Sequence, residues 1–200
     1  MKKERADAIL VGVLSEAVRS YIRFISHSYK IENHYKSRAG VNHFGFVPAD
    51  TISISYTLFR LYHQMESERG KHKFLDIGCG IGNIVLLAHE IGFDAYGLEY
   101  NRKIYNVAKG IIGKDRIFLG DMTSFRGYGE YDVLYYYQPM VNFDAMNKFA
   151  ERLIKAVKPG AYVIPRIGDW VIGRSKEFKS VTLRPGKSHG SIYKKKEKIE

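Results

Sequence analysis

Apolar residues recur at helical spacing through the first quarter of the chain. Ile9, Leu10, Val13, Leu14, Ala17, Val18, Tyr21, Ile22 and Ile25 fall on one side, with Glu16, Arg19 and Arg23 mainly opposite, which predicts an amphipathic helix between Glu4 and about Tyr35. Residues 37–50 carry two glycines and a proline and read as a loop. A second helix follows from Thr51 to Ser67, with Ile52, Tyr56, Phe59 and Tyr62 on one face and Asp50 placed to cap it.

The pattern then changes period. Short apolar runs alternate with helical stretches: Phe74–Ile77, the helix from Asn83 to Ile91 ending at Gly92, Asp94–Leu98, the helix from Asn101 to Gly110, Arg116–Leu119, and the aromatic run Tyr131–Tyr137. The helix from Phe143 to Val157 and the strand Ala161–Pro165, entered through Lys158-Pro159-Gly160, complete the series. Strand and helix in alternation imply an α/β fold with a mostly parallel sheet, doubly wound with helices on both faces, and an N-terminal helical extension. The apolar and aromatic character of Tyr131–Tyr137, interrupted only by Asp132, suits a strand covered on both faces. Trp170–Gly173, Glu177–Leu183 and Ser191–Tyr193 read as short strands that could form a terminal antiparallel pair. The division expected is 1–70 as extension and cofactor-covering segment, 71–193 as the main domain, and 194–200 as a basic tail.

The stretch with the most chemistry is Lys73–Asn83, K-F-L-D-I-G-C-G-I-G-N. A strand breaks into Gly78, Gly80 and Gly82, and a helix begins behind them. Glycines at alternate positions permit positive φ and strip one face of the loop of Cβ atoms, so a ligand can lie against backbone near a helix N-terminus. Glu99 ends the next strand, about 20 residues on, where such folds set an acid against ribose hydroxyls. A dinucleotide site usually spaces its glycines G-x-G-x-x-G; this loop is G-x-G-x-G behind Asp76.

In that spacing, D-I-G-C-G-I-G resembles the first motif of the class I, Rossmann-like S-adenosylmethionine-dependent methyltransferases. The resemblance runs from about Phe44 to Pro165. It implies S-adenosylmethionine as cofactor, held by Asp76, Gly78, Cys79, Gly80 and Gly82, with Glu99 on the ribose and Tyr100 beside it. Asp121 would accept from the adenine amino group, and Met122 would offer a backbone N–H and cover the ring. The end of the aromatic strand, Tyr137-Gln138-Pro139-Met140, is the substrate-facing position; it lacks the acid or amide, second proline and aromatic of amino-methyltransferases acting on adenine or glutamine. Phe44-Gly45-Phe46-Val47-Pro48 ahead of a helix is similar to small protein-lysine methyltransferases, in which that segment, here with Phe46, folds over the cofactor. Tyr136, Tyr137 and Gln138 would then receive the acceptor amine as the catalytic set, unless they are simply strand packing.

Charge sharpens the question of partner. A formal net charge of +11 favours nucleic acid, acidic protein surface or anionic membrane. Part of the excess lies in Lys2, Lys3 and Arg5 and in Lys194, Lys195, Lys196 and Lys198, which read as solvated ends. One cysteine, Cys79, permits no internal disulfide, and the scattered histidines make no metal-ligand spacing. The run Ala8–Leu14 is too short to span a bilayer and no leader pattern opens the chain, so a cytoplasmic location is expected. The leading reading is a methyltransferase acting on a macromolecule, with protein lysine slightly ahead of nucleic acid. Small-molecule methylation, a nicotinamide-dependent oxidoreductase and a silent binding module retaining the fold are the alternatives.

Overall fold

The computed structural model describes residues 51–65, 71–137, 140, 142–166, 170–183 and 191–197. The expected first helix, the loop to Asp50 with Phe46, and Gln138 lie outside the described residues. Helix α1 (Thr51–Met65) leads to strand β1 (Lys73–Ile77), α2 (Asn83–Ile91), β2 (Asp94–Glu99), α3 (Arg102–Ile112) and β3 (Ile117–Leu119). A short 3-10 turn at Gly127–Glu130 precedes β4 (Val133–Tyr136), which is followed by α4 (Phe143–Ala156), β5 (Tyr162–Pro165), α5 (Trp170–Arg174), β6 (Phe178–Ser180) and β7 (Tyr193–Lys195).

Among the described residues these strands form one sheet in the order β3-β2-β1-β4-β5-β7-β6. The five strands from β3 to β5 are parallel, as the strand–helix alternation implies, and β7 runs antiparallel to both β5 and β6. The sheet is the expected doubly wound one. Its inner residues alternate between two apolar layers. Phe74, Val133 and Tyr135 face α1, α2 and α3, whereas Leu75, Ile77, Leu134 and Tyr136 face α4, α5 and the 3-10 turn. The chain winds outward from β1 to β3 and returns to the other side of β1 as β4. That reversal opens a crevice at the carboxyl ends of β1 and β4, where ligands of such sheets bind.

Two expectations at the C-terminal end are corrected. Trp170–Gly173 is not a strand but opens helix α5, in which Ile172 is fully buried; tertiary packing overrides the strand preference of Trp, Val and Ile. Lys194 and Lys195 are not tail but lie in β7. Lys195 is buried, its Nζ donating to the Ile154 carbonyl and lying 3.3 Å from Glu177 Oε2, and Lys194 Nζ sits 4.9 Å over the Tyr162 ring. The long aliphatic stems of lysine let such a strand cover apolar surface while the amines find acceptors.

Candidate active site

The loop after β1 is built by its glycines. Gly78, Gly80 and Gly82 take φ of 78°, 57° and 89°, a region L side chains rarely occupy. Gly78 N and Cys79 N both donate to the Leu98 carbonyl, at 2.8 and 3.0 Å, and Gly82 N donates to Cys79 O at 2.9 Å. The loop therefore folds back onto the end of β2. Gly97 permits this: a Cβ there would lie 2.6 Å from Cys79 Sγ and 3.0 Å from Cys79 Cβ. Gly82 caps α2 without a side chain, which presents the first-turn N–H groups of a nine-residue helix beside the loop.

Glu99 is the clamp. Its Oε2 accepts from Gly80 N at 2.9 Å and its Oε1 from Asn101 N at 2.7 Å, so one carboxylate ties the loop after β1 to the turn after β2. Asn101 in turn caps α3, its side chain accepting from the N–H groups of Lys103 and Ile104. A carboxylate has about four lone-pair positions, so acceptor capacity remains for a hydroxyl donor beside the backbone N–H groups. Burial pushes Glu99 above the ordinary carboxylate range while the backbone N–H groups of Asn101, Gly80 and Tyr100 pull it back. Asp76, buried at the end of β1, is raised well above that range by burial and then by the charge of Glu99. The Cys79 thiol is raised by burial and by both acids, which keeps it protonated and removes it as a nucleophile.

The remaining residues divide by position. Asp121 stands just beyond β3; its Oδ1 accepts from Thr123 N at 2.7 Å and from Thr123 Oγ1 at 2.8 Å, so it also shapes its own turn. Met122 is buried, and its carbonyl accepts from the Tyr128 hydroxyl at 2.7 Å. Tyr100 is exposed beside Glu99. Tyr137 is half-buried against the layer of α1 to α3, while Tyr136 is fully buried on the opposite layer against Phe149, ring centroids 5.6 Å apart. The expectation that Tyr136 and Tyr137 line one pocket is corrected, because successive strand side chains point to opposite faces. Two residues had not been singled out. Asn83 is buried at the start of α2, its Nδ2 without a hydrogen-bond partner among the described residues. Gly97 is the other, signalled only by an isolated glycine within a strand pattern.

The methyltransferase-domain family matches residues 75–164, the span that contains the loop, Glu99 and Asp121. Residues 75–164 are a class I S-adenosylmethionine-dependent methyltransferase domain. No curated protein matches the chain. Among solved structures, an RNA methyltransferase from Salinibacter ruber in complex with S-adenosyl-L-homocysteine is 21% identical with a TM-score of 0.54, the match covering 77% of this chain and 97% of that one. TrmN from Thermus thermophilus is 18% identical with a TM-score of 0.51 over 71% of this chain and 48% of its own. Both likenesses are of fold.

The methyltransferase site fits S-adenosylmethionine on its own chemistry. The glycine loop leaves room for a ligand against backbone, Asn83 offers a buried donor without a partner among the described residues, and Glu99 keeps acceptor capacity for a ribose hydroxyl. The cofactor supplies a methyl group on a cationic sulfur, and the two acids Asp76 and Glu99 suit a ligand of positive charge.

Proposed function

We propose that the domain transfers the methyl group to a nucleophile on a macromolecule, and that nucleic acid stands ahead of protein lysine as acceptor. The observation that carries the acceptor class is the net charge of +11, which suits a polyanion. The lysine reading rested on the Phe44–Pro48 resemblance and on Tyr136, Tyr137 and Gln138 sharing a pocket; the segment and Gln138 lie outside the described residues, and Tyr136 lies in the opposite layer from Tyr137. The similar Salinibacter protein is described as an RNA methyltransferase, which agrees with this order. Displacement at a sulfonium methyl needs alignment more than a strong acid, so the chain's task is to hold acceptor and methyl in line. Tyr137, followed by Gln138, stands at the crevice end of β4 and is proposed to contact the acceptor. Among the described residues no helix is long and apolar enough to cross a membrane.

Incubating cell extract with the protein and methyl-labelled S-adenosylmethionine, then sorting the label, tests this. Label that nuclease releases is expected. Label on protein lysine, or on small molecules, would reverse the assignment.

A further inference from the structure

Two exposed aromatic rings touch on this domain. Phe143 is 60% exposed and Trp170 is 36% exposed; their centroids lie 5.8 Å apart with planes tilted by 40°. Phe143 begins α4 and Trp170 begins α5, the helices that follow the neighbouring parallel strands β4 and β5. Both rings therefore stand where the chain has passed the carboxyl edge of the sheet, the edge that also carries the glycine loop and Glu99.

The rings are held rather than left over. Trp170 Nε1 donates to Asn147 Oδ1 at 2.8 Å, and Asn147 lies one turn along α4 from Phe143. Asn142 caps α4, its side chain accepting from Ala145 N at 3.0 Å, which fixes the turn that presents Phe143. Single exposed apolar residues are ordinary, whereas a fixed, contiguous pair beside a substrate crevice calls for an occupant. Arg174, exposed, lies four residues from Trp170 on the same short helix, and Lys148 is exposed on α4; Asp144 and Glu151 are the exposed acids of α4. The Asp and Glu side chains of an acidic peptide would bring charge to these cations but carry no ring themselves. A nucleotide brings both. Sandwiching a base between two rings takes two contact distances, about 7 Å. The 5.8 Å separation is too small for that, so a base stacks on the outer face of the pair.

We infer that Phe143 and Trp170 form a stacking platform for an unpaired nucleobase of the acceptor strand, with Arg174 placed for its phosphate. This rests on the nucleic-acid reading above and names where that acceptor is gripped.

Trp170 is the only tryptophan of the chain, so its fluorescence reports on the platform alone. The full chain, saturated with S-adenosylhomocysteine, is titrated with a short single-stranded RNA, the same strand as DNA, and the RNA duplex, reading tryptophan emission and labelled-strand anisotropy together. Single strands are expected to bind with quenching, and the duplex, whose bases are already stacked, without it. Phe143→Ala should raise Kd for the single strand about five-fold to a hundred-fold, with S-adenosylhomocysteine affinity and melting temperature unchanged. Trp170→Ala should do likewise, and Trp170→Phe, which keeps a ring, should recover most of the affinity. Single-strand binding without quenching, or equally tight binding by Phe143→Ala, would sink the platform while leaving the nucleic-acid reading in place. No binding of any strand, together with methyl label on protein, overturns both.

Discussion

Replacing Gly97 by alanine probes the contact that seats the cofactor loop. Gly97 lies within β2 and its φ is not in the left-handed region, so backbone strain plays no part. The new Cβ would stand 2.6 Å from Cys79 Sγ, 3.0 Å from Cys79 Cβ and 3.1 Å from Val85 Cγ2. Ordinary carbon contacts are about 3.5–4.0 Å, so the loop must retreat by about 1 Å or Cys79 must leave its rotamer. Overpacking of this kind costs about 1–3 kcal/mol, against about 0.5–1 kcal/mol gained by removing a strand glycine. The net destabilisation is about 0–2.5 kcal/mol, a fall in Tm of up to about 10 °C at this chain length. A loop displaced by about 1 Å also breaks the 2.9 Å bond from Gly80 N to Glu99, so affinity for S-adenosylhomocysteine should fall about ten-fold. Urea unfolding and calorimetric titration of Gly97→Ala, Cys79→Ala and the double variant read both effects. Cys79→Ala removes the nearest atom, so the double variant should be more stable than the sum of the singles by about 0.5 kcal/mol or more. Wild-type stability and affinity in Gly97→Ala, or additivity within about 0.3 kcal/mol, would refute the contact.

Glu99→Gln keeps the shape but sets an amide N–H₂ against either Gly80 N–H or Asn101 N–H; it should weaken S-adenosylhomocysteine about ten-fold to a hundred-fold while Tm moves little, because a buried charge is removed at the same time. Unchanged affinity by calorimetry would free Glu99 from the ribose. Stability of the ligand-free protein should respond to pH through Asp76 and Glu99. Both have raised pKa in the folded state, so the folded chain binds more protons, and their contribution falls as pH rises from about 4 through the folded values. Urea midpoints at mildly acidic and neutral pH should show this, and Asp76→Asn should flatten the slope; a slope unaltered in that variant counts against a raised pKa at Asp76.

The joining of the glycine loop to Glu99 was legible because its parts are local. A strand, three glycines and a helix lie within eleven residues, and Glu99 follows one βαβ unit later, so spacing alone brings them together. The acceptor half was not. Tyr136 and Tyr137 are neighbours in sequence and opposed in space, and the alternation that separates them is a rule of strands that a residue-type argument passes over. The seating of Cys79 on Gly97 depends on β1 pairing with β2 in one register, Asp76 opposite Gly97, which no local pattern reveals. Lys194 and Lys195 read as tail because charge marks surface on average; β7 is specified instead by Ile192 and by the acceptors that Ile154 and Glu177 bring from elsewhere in the chain. Trp170-Val171-Ile172 has strand composition, and packing against the layer of α4 makes it helix.

Calorimetric titration of the wild-type chain with S-adenosylmethionine and, separately, with NAD addresses the central claim most directly, since the glycine spacing and the Glu99 clamp are set for the first. Saturable binding of S-adenosylmethionine, a matching rise in Tm and no response to NAD are predicted. Binding of NAD with none of S-adenosylmethionine would contradict the account.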